Sequence, residues 1–185
     1  MKQNYPKIKI CGLKNISEVI CASDYGAFWF GMIFVKNTPR SISLRKAEIL
    51  INKAPKSLKP VAVTIHPSLK EVKQLVDIGI KDIQLHGNEN IEQCKILNRD
   101  FKMNTIKAIN LRNLDGLRLA EYYSSNVNWV LFDYKDKFNL GGTGKSFDWN
   151  ILKNKNLKYN WILSGGLDYN NMREAIKITG AKALD

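Results

Sequence analysis

The 185-residue sequence has no apolar run long enough to cross a membrane. Its longest apolar runs, such as Ala27 to Val35, fall far short of the roughly 20 residues that span a bilayer. No basic and apolar leader precedes Lys7, so an export signal is not expected. The only three cysteines, Cys11, Cys21 and Cys94, lack the spacing of metal ligands. We therefore expect reduced thiols, a cytoplasmic location and no membrane partner.

Motifs of several enzyme classes are also missing. The sequence contains no zinc-ligand spacing, no nucleophile elbow and no dinucleotide fingerprint. After the first predicted strand it reads Cys11-Gly-Leu-Lys14, which lacks the spaced glycines of a Rossmann phosphate turn. No metal site and no cofactor are predicted.

Positive charge is in excess, with a formal net charge of +12. Such a balance can indicate nucleic acid, a membrane surface or a phosphorylated substrate. The lysines are spread along the chain, and the densest cluster, Lys153 to Lys158, has no aromatic residues between its charges, unlike a single-strand binding platform. We favour a solvated basic surface and expect no nucleic-acid partner, while a basic nucleic-acid-binding domain stays open as an alternative.

Short apolar runs alternate with helical patterns from Lys7 onward, which is typical of strand–helix units around a parallel sheet. Six helices with 3.6-residue spacing are predicted between the strands, and a shorter helix is expected at about Trp149 to Leu152. The eight predicted strands are Ile8–Cys11, Phe28–Val35, Pro60–His66, Asp82–His86, Thr105–Ile109, Trp129–Asp133, Trp161–Ser164 and Ala181–Asp185.

Three glycines, Gly26, Gly79 and Gly180, each end a predicted helix and lead into a strand. Their separations fit units of about 25 to 27 residues. Eight such units predict an α/β fold of the parallel, eight-stranded (β/α)8 TIM-barrel type, as one domain over residues 1–185. A doubly wound open sheet is the rival fold. Because no eighth helix follows strand eight in the sequence given, we expect a barrel that is truncated or incomplete at its carboxyl terminus.

A glycine-rich loop follows the sixth predicted strand, which ends in Asp133. Gly141, Gly142 and Gly144 allow backbone conformations and close approaches that other residues do not. Strand, acid, glycine loop and helix in this order are typical of an active site, although a surface loop beside a solvated Asp is the alternative. We interpret the loop as a mobile cover over Asp133, with Gly142 and Gly144 in contact with a substrate.

The first strand carries a second candidate group. Lys7, Lys9 and Cys11 share one of its faces, and Cys11 would point into the barrel mouth. A nearby cation favours a thiolate, so Lys9 is expected to prepare Cys11 as a base, while a buried apolar thiol is the alternative. By the same parity Asp185 is expected to pair with Lys9. An acid, Asp133, and a base, Cys11, suit an isomerisation, which needs one group to give a proton and another to take one.

Further strand ends carry binding candidates. Arg40 is suited to hold a carboxylate with its planar fork, although a surface arginine is the alternative. Gly165 and Gly166 follow strand seven, where barrels of this type hold phosphate on backbone amides. His86 would line the pocket, although a structural histidine is the favoured alternative.

The remaining histidine and cysteines receive structural interpretations. His66 is expected in a loop, because it precedes a proline. Cys21 and Cys94 fall on apolar helix faces and are expected in the core.

Several motifs together resemble the phosphoribosylanthranilate isomerase family of tryptophan biosynthesis, in order from strand one to strand eight. They are Lys9-Ile-Cys-Gly12, Thr38-Pro-Arg40, Gln84-Leu-His-Gly87 with Glu89, Phe132-Asp133, Gly141-Gly-Thr-Gly144 with Phe147-Asp-Trp149, and Leu163-Ser-Gly-Gly-Leu167. Another sugar-phosphate barrel enzyme, such as an epimerase or a synthase, is the alternative within this fold.

The resemblance implies an Amadori rearrangement of N-(5-phosphoribosyl)anthranilate to 1-(2-carboxyphenylamino)-1-deoxyribulose 5-phosphate, without a cofactor. On the family pattern, Asp133 would be the general acid and Cys11 the general base. Arg40 matches the contact to the anthranilate carboxylate, and Gly165 and Gly166 match half of the phosphate grip.

Two departures from the family pattern affect the expected site. The Ser-Ser-Gly-Val-Glu stretch that usually follows strand eight, the other half of the phosphate grip, does not occur. Strand three reads Val61-Ala-Val-Thr-Ile-His66, where members tend toward a glycine and an aromatic residue. A chain that ends at Asp185 is therefore expected to bind phosphate weakly and to have little activity.

Overall fold

Eight parallel strands form a closed barrel in which each strand neighbours the next along the chain. The structure is a computed structural model that describes residues 5–134 and 148–185. The predicted (β/α)8 fold is confirmed. Its strands are β1 (Lys7–Cys11), β2 (Trp29–Ile33), β3 (Lys59–Thr64), β4 (Asp82–Leu85), β5 (Asn104–Asn110), β6 (Trp129–Asp133), β7 (Trp161–Leu163) and β8 (Ala183–Leu184). The helices are α1 (Ile16–Asp24), α2 (Leu44–Lys53), α3 (Leu69–Asp77), α4 (Ile91–Arg99), α5 (Leu114–Ser124) and α6 (Met172–Thr179), with a 3-10 helix at Trp149–Ile151.

All eight predicted strands are present, and β6 has the predicted bounds. Five strands end earlier than predicted, and β4, β7 and β8 each do so by one residue. β2 stops at Ile33 instead of Val35, and β3 stops at Thr64 instead of His66. His66 has φ 45°, a left-handed conformation that cannot continue an extended strand. Apolar sequence alone therefore overestimates strand length where the chain must turn toward its next helix.

Most of the helices begin at residues whose side chains cap the backbone amides, and several of them are followed by a glycine with a positive φ. Asn15, Ser68 and Asn90 begin α1, α3 and α4 with capping boxes, in which the side chains of the first residue and the residue three positions later bond each other's backbone amides. The predicted helix-ending glycines Gly26 and Gly180 have φ values of 78° and 70°, which are strained for residues with a β-carbon. These signals space the strand–helix units along the chain.

The described residues form two compact units, one of Ile8–Ile106 and one of Lys107–Asp185 with the amino-terminal residues up to Lys7. In the first unit, Phe30, Met32 and Val61 are buried in the strands, and Phe28 packs edge-to-face on Trp29. The core of the second unit contains Val130, Leu131, Phe132, Ile162 and Leu163, all fully buried. Within the described residues, no helix is long and apolar enough to span a membrane.

A buried carboxyl group lies at the amino-terminal start of β4, the end of a barrel strand that serves stability more often than chemistry. Burial raises the pKa of Asp82, while the amide of Asn104 and the charge of Lys59 act in the opposite direction. The Asn104 amide donates to the Asp82 carboxylate at 3.3 Å. We assign this cluster to the stability of the first unit.

Candidate active site

In the first unit, Cys11 lies at the carboxyl end of β1 and pairs with Gly31 on β2. Directly paired residues on neighbouring strands point to the same face of a sheet. A β-carbon at Gly31 would lie 3.0 Å from the Cys11 Sγ atom and 3.2 Å from the Lys9 Nζ atom. The thiol and the ammonium group therefore both lie over Gly31, on one face of the sheet, as the alternation along β1 predicts.

Burial makes this thiol–ammonium arrangement electrostatically important. Lys9 is only 1% exposed, whereas Cys11 is half-buried. Charges interact more strongly away from water, and a cation close to a thiol favours the thiolate. The arrangement suits a base at Cys11. The predicted pairing of Lys9 with Asp185 stays a prediction.

Arg40 extends from the loop after β2 to the end of β1. Its guanidinium group lies against Gly12, in the space that a β-carbon would occupy, and donates a hydrogen bond to the Cys11 carbonyl at 2.5 Å. Gly12 has φ 81°, a conformation that favours glycine. An exposed guanidinium is thus held beside the candidate base, and its planar fork is suited to a carboxylate.

His86 follows β4 and is half-buried, and its backbone N–H donates to the Thr64 carbonyl at 2.9 Å. Its Nδ1 atom lies 3.2 Å from the side-chain nitrogen of Gln84. His66 lies in the loop after β3, as predicted, and its Nε2 atom accepts the Asn88 N–H at 3.3 Å. The two histidines therefore have different hydrogen-bond environments.

Glu89 is a buried polar residue to which sequence reasoning gave no role. It is 1% exposed, and its carboxylate accepts the N–H of His66 at 2.8 Å and the N–H of Gly87 at 3.1 Å. Glu89 thereby joins the loops that follow β3 and β4. The sequence signal for Glu89 was its place in the motif Gln84-Leu-His-Gly87 with Glu89, which did not indicate a function for the carboxylate.

In the second unit, Asp133 is the last residue of β6 and is half-buried. Its Oδ1 atom accepts the N–H of Tyr134 at 2.9 Å, and its backbone carbonyl accepts the N–H of Leu111 at 2.9 Å. A β-carbon at Gly165 would lie 3.4 Å from Asp133 Oδ1 and 2.7 Å from the Tyr134 nitrogen. The carboxylate is therefore fixed at a strand end beside the first glycine of the predicted phosphate turn.

Gly165 and Gly166 form a turn after β7, with φ values of 90° and 67°. The Asn171 side chain donates to the Gly166 carbonyl at 2.7 Å, which fixes the turn against the start of α6. Left-handed conformations at two successive residues explain why both are glycine. Backbone amides near a helix start are suited to an anion.

Gly142 and Gly144 lie outside the described residues, as does the rest of the segment 135–147.

Cys94 is buried as predicted, but the prediction of a core position for Cys21 is wrong because this residue is exposed. The buried face of α1 centres on Val19, and a residue two positions later points about 200° around the helix.

Comparison with known proteins gives one consistent result. The family model for N-(5'phosphoribosyl)anthranilate (PRA) isomerase matches residues 8–185. The chain is similar to the N-(5'-phosphoribosyl)anthranilate isomerase of Zymomonas mobilis subsp. mobilis, with 35% identity over 181 residues that cover 97% of this chain and 86% of the relative. It is 36% identical to that of Petrotoga mobilis over 180 residues, which cover 97% of this chain and 84% of the relative. The crystal structure of phosphoribosyl anthranilate isomerase from Thermotoga maritima matches with a TM-score of 0.88 at 27% identity, covering 97% of this chain and 86% of that one.

The position of Lys9 predicts an effect on Cys11 reactivity. In Lys9→Met, which keeps a long side chain and removes its charge, alkylation of Cys11 by iodoacetamide should require a higher pH, because the thiolate loses a nearby cation. Mass spectrometry of the Cys11 peptide across pH measures this effect. The exposed Cys21 is an internal control whose alkylation should not change. Unchanged alkylation of Cys11 would contradict the electrostatic link.

Proposed function

The chain belongs to the N-(5'-phosphoribosyl)anthranilate isomerase family of tryptophan biosynthesis, and we propose that Asp133 and Cys11 are the general acid and general base of its reaction. The enzyme is an isomerase that converts N-(5'-phosphoribosyl)anthranilate, a small sugar phosphate, to 1-(2-carboxyphenylamino)-1-deoxyribulose 5-phosphate. We also propose that residues 1–185 act as one barrel domain, located in the cytoplasm.

The rearrangement defines what the two groups must do. A proton added to the ribose ring oxygen allows the bond from that oxygen to C1 to break, while the lone pair of the anthranilate nitrogen forms the C1=N bond of an iminium ion. Removal of the C2 proton then gives an enolamine, which becomes the ketone when C1 gains a proton and the C2 hydroxyl group loses one. The substrate's own nitrogen accepts the electron pair, so the protein must supply one proton donor and one proton acceptor.

One observation supports the assignment of both roles: each group is the last residue of a parallel barrel strand, Cys11 of β1 and Asp133 of β6. Enzymes with this fold keep their chemistry at the carboxyl ends of the strands. Asp133 is a half-buried carboxyl group, suited to protonate the ring oxygen. Cys11, with the Lys9 ammonium over the same glycine, is suited to take the C2 proton as a thiolate.

Binding groups follow from the same strand ends. Arg40, whose guanidinium lies against Gly12, is proposed to hold the anthranilate carboxylate. Gly165 and Gly166 are proposed to bind the phosphate through backbone amides. His86 is proposed to contact the substrate, as are Gly142 and Gly144 of the undescribed segment.

Turnover of freshly generated substrate tests the acid and the base. Cys11→Ala and Asp133→Asn should each lower kcat by about 10²- to 10⁴-fold, the usual contribution of a positioned acid or base. Cys21→Ala and Asp77→Asn are matched controls, because both residues are exposed and lie on helices, and they should keep wild-type rates. Loss in Asp133→Asn but not in Cys11→Ala would contradict Cys11 as the base.

A pair of glycine variants tests the role of Arg40. Alanine at Gly12 or at Gly26 adds a β-carbon at nearly the same positive φ, 81° and 78°, so each change should cost about 1–2 kcal/mol of stability through the backbone, and Gly12→Ala should also weaken the bond of Arg40 to the Cys11 carbonyl. Only at Gly12 does the new carbon meet the Arg40 guanidinium, whereas nothing lies within 4 Å at Gly26. Gly12→Ala alone should therefore raise KM, by roughly tenfold or more for a weakened charged hydrogen bond. Equal KM values in the two variants would contradict the proposal that Arg40 binds the anthranilate carboxylate.

A further inference from the structure

We infer that Gln84 is a positioning residue that selects the tautomer of the neutral His86 imidazole with its proton on Nε2, so that His86 donates a hydrogen bond to an oxygen atom of the bound substrate. The inference rests on the proposed function for its substrate, but the state of the imidazole can be measured without turnover.

The strand register places Gln84 and His86 on the face of the sheet that carries Cys11. Gly31 pairs with Cys11, and Ile33, two positions further along β2, pairs with Val63, which in turn pairs with Gln84. Residues two apart on a strand share a face, as do directly paired residues. His86 follows Gln84 by two positions, and its bond to the Thr64 carbonyl continues the β3–β4 ladder. Both side chains therefore belong to the face of the candidate base.

The hydrogen bond between the two side chains determines where the imidazole proton lies. The Gln84 side-chain nitrogen is 3.2 Å from His86 Nδ1, and an amide nitrogen can only donate. Nδ1 must therefore accept, and a neutral imidazole that accepts at Nδ1 carries its proton on Nε2. A neutral ring with an Nε2–H group is a hydrogen-bond donor, which leaves the acid role to Asp133.

The burial of Gln84 indicates that the bond to His86 has a purpose beyond packing. Gln84 is 2% exposed, and within the described part of the chain its Oε1 atom has no hydrogen-bond partner. A buried amide oxygen without a partner is destabilising, and an apolar residue such as the paired Val63 would avoid that cost. The amide of Gln84 offsets this cost if its nitrogen determines which ring nitrogen of His86 carries the proton.

Residues on both sides of His86 hold its position. The Thr64 hydroxyl donates to the Gln84 carbonyl at 3.3 Å. After the histidine, the Gly87 N–H donates to both carboxylate oxygens of Glu89 at 3.1 Å. A donor that is fixed before substrate binds loses little entropy on binding, which is the requirement for a positioning network.

Nitrogen NMR of ¹⁵N-histidine-labelled protein near pH 8 tests the tautomer directly. The chain has only two histidines, so a His66→Gln variant assigns both rings. His86 should show an unprotonated Nδ1 and a protonated Nε2. His66 should show the opposite tautomer, because its Nε2 accepts the Asn88 N–H. A protonated Nδ1 in His86 of the wild-type protein would overturn the inference.

Variants connect the tautomer to substrate binding. In Gln84→Glu the carboxylate can only accept, so the His86 proton should move to Nδ1 and kcat/KM should fall by roughly tenfold or more. Thr179→Val, which removes a buried hydroxyl hydrogen bond to the Ala175 carbonyl in α6, should leave the tautomer unchanged. A Gln84→Glu variant with the wild-type tautomer would also overturn the inference.

Two replacements of His86 test which ring nitrogen serves the substrate. His86→Gln places an amide nitrogen near the position of Nε2, whereas His86→Asn places one near Nδ1. KM should be at least tenfold lower in His86→Gln than in His86→Asn. Equal KM values for the two variants, in an enzyme whose activity still depends on Cys11 and Asp133, would contradict the His86 inference and leave the proposed function intact. Activity that does not depend on Cys11 and Asp133 would contradict the proposed function instead.

Discussion

The close approach of Cys11 and Lys9 to Gly31 is the contact on which the rest of the site depends. A β-carbon at Gly31 would lie 3.0 Å from the thiol and 3.2 Å from the ammonium group, so any larger residue would displace one of them. Because Lys9 is buried, its charge acts on the thiol with little screening by water. The parallel register then extends the same face from β1 through β2 and β3 to Gln84 on β4.

Glycines also determine the geometry of the other parts of the site, because they leave space next to the backbone. Gly12 gives the Arg40 guanidinium its place against the backbone, and Gly165 leaves room beside Asp133. Gly87 allows the Glu89 carboxylate to approach, since a β-carbon there would lie 2.8 Å from its Oε1 atom. In each case a charged side chain occupies space next to a glycine at a strand end. A β-carbon at Gly12 or Gly87 would meet the charged group, so replacing either glycine would move that charge, whereas a β-carbon at Gly165 would meet the Tyr134 backbone nitrogen first, at 2.7 Å.

Strand order, helix order and the barrel could be predicted from the sequence because they depend on local patterns: apolar runs, helical spacing and helix-ending glycines. The face shared by Lys9 and Cys11 also followed from alternation along one strand. Contacts between distant residues could not be predicted in this way. The bond of Arg40 to the Cys11 carbonyl joins residues 29 positions apart, and the burial of Glu89 depends on a loop from another strand. The exposure of Cys21 was missed because a short apolar helix pattern does not show which of its faces is covered.

Protection of Cys11 by a bound product analogue tests the central claim, that the substrate binds over the Cys11 thiol, most directly. In the wild-type protein, a saturating concentration of reduced 1-(2-carboxyphenylamino)-1-deoxyribulose 5-phosphate should slow iodoacetamide alkylation of Cys11 and leave that of the exposed Cys21 unchanged. Equal alkylation of Cys11 with and without the saturating analogue would contradict the account.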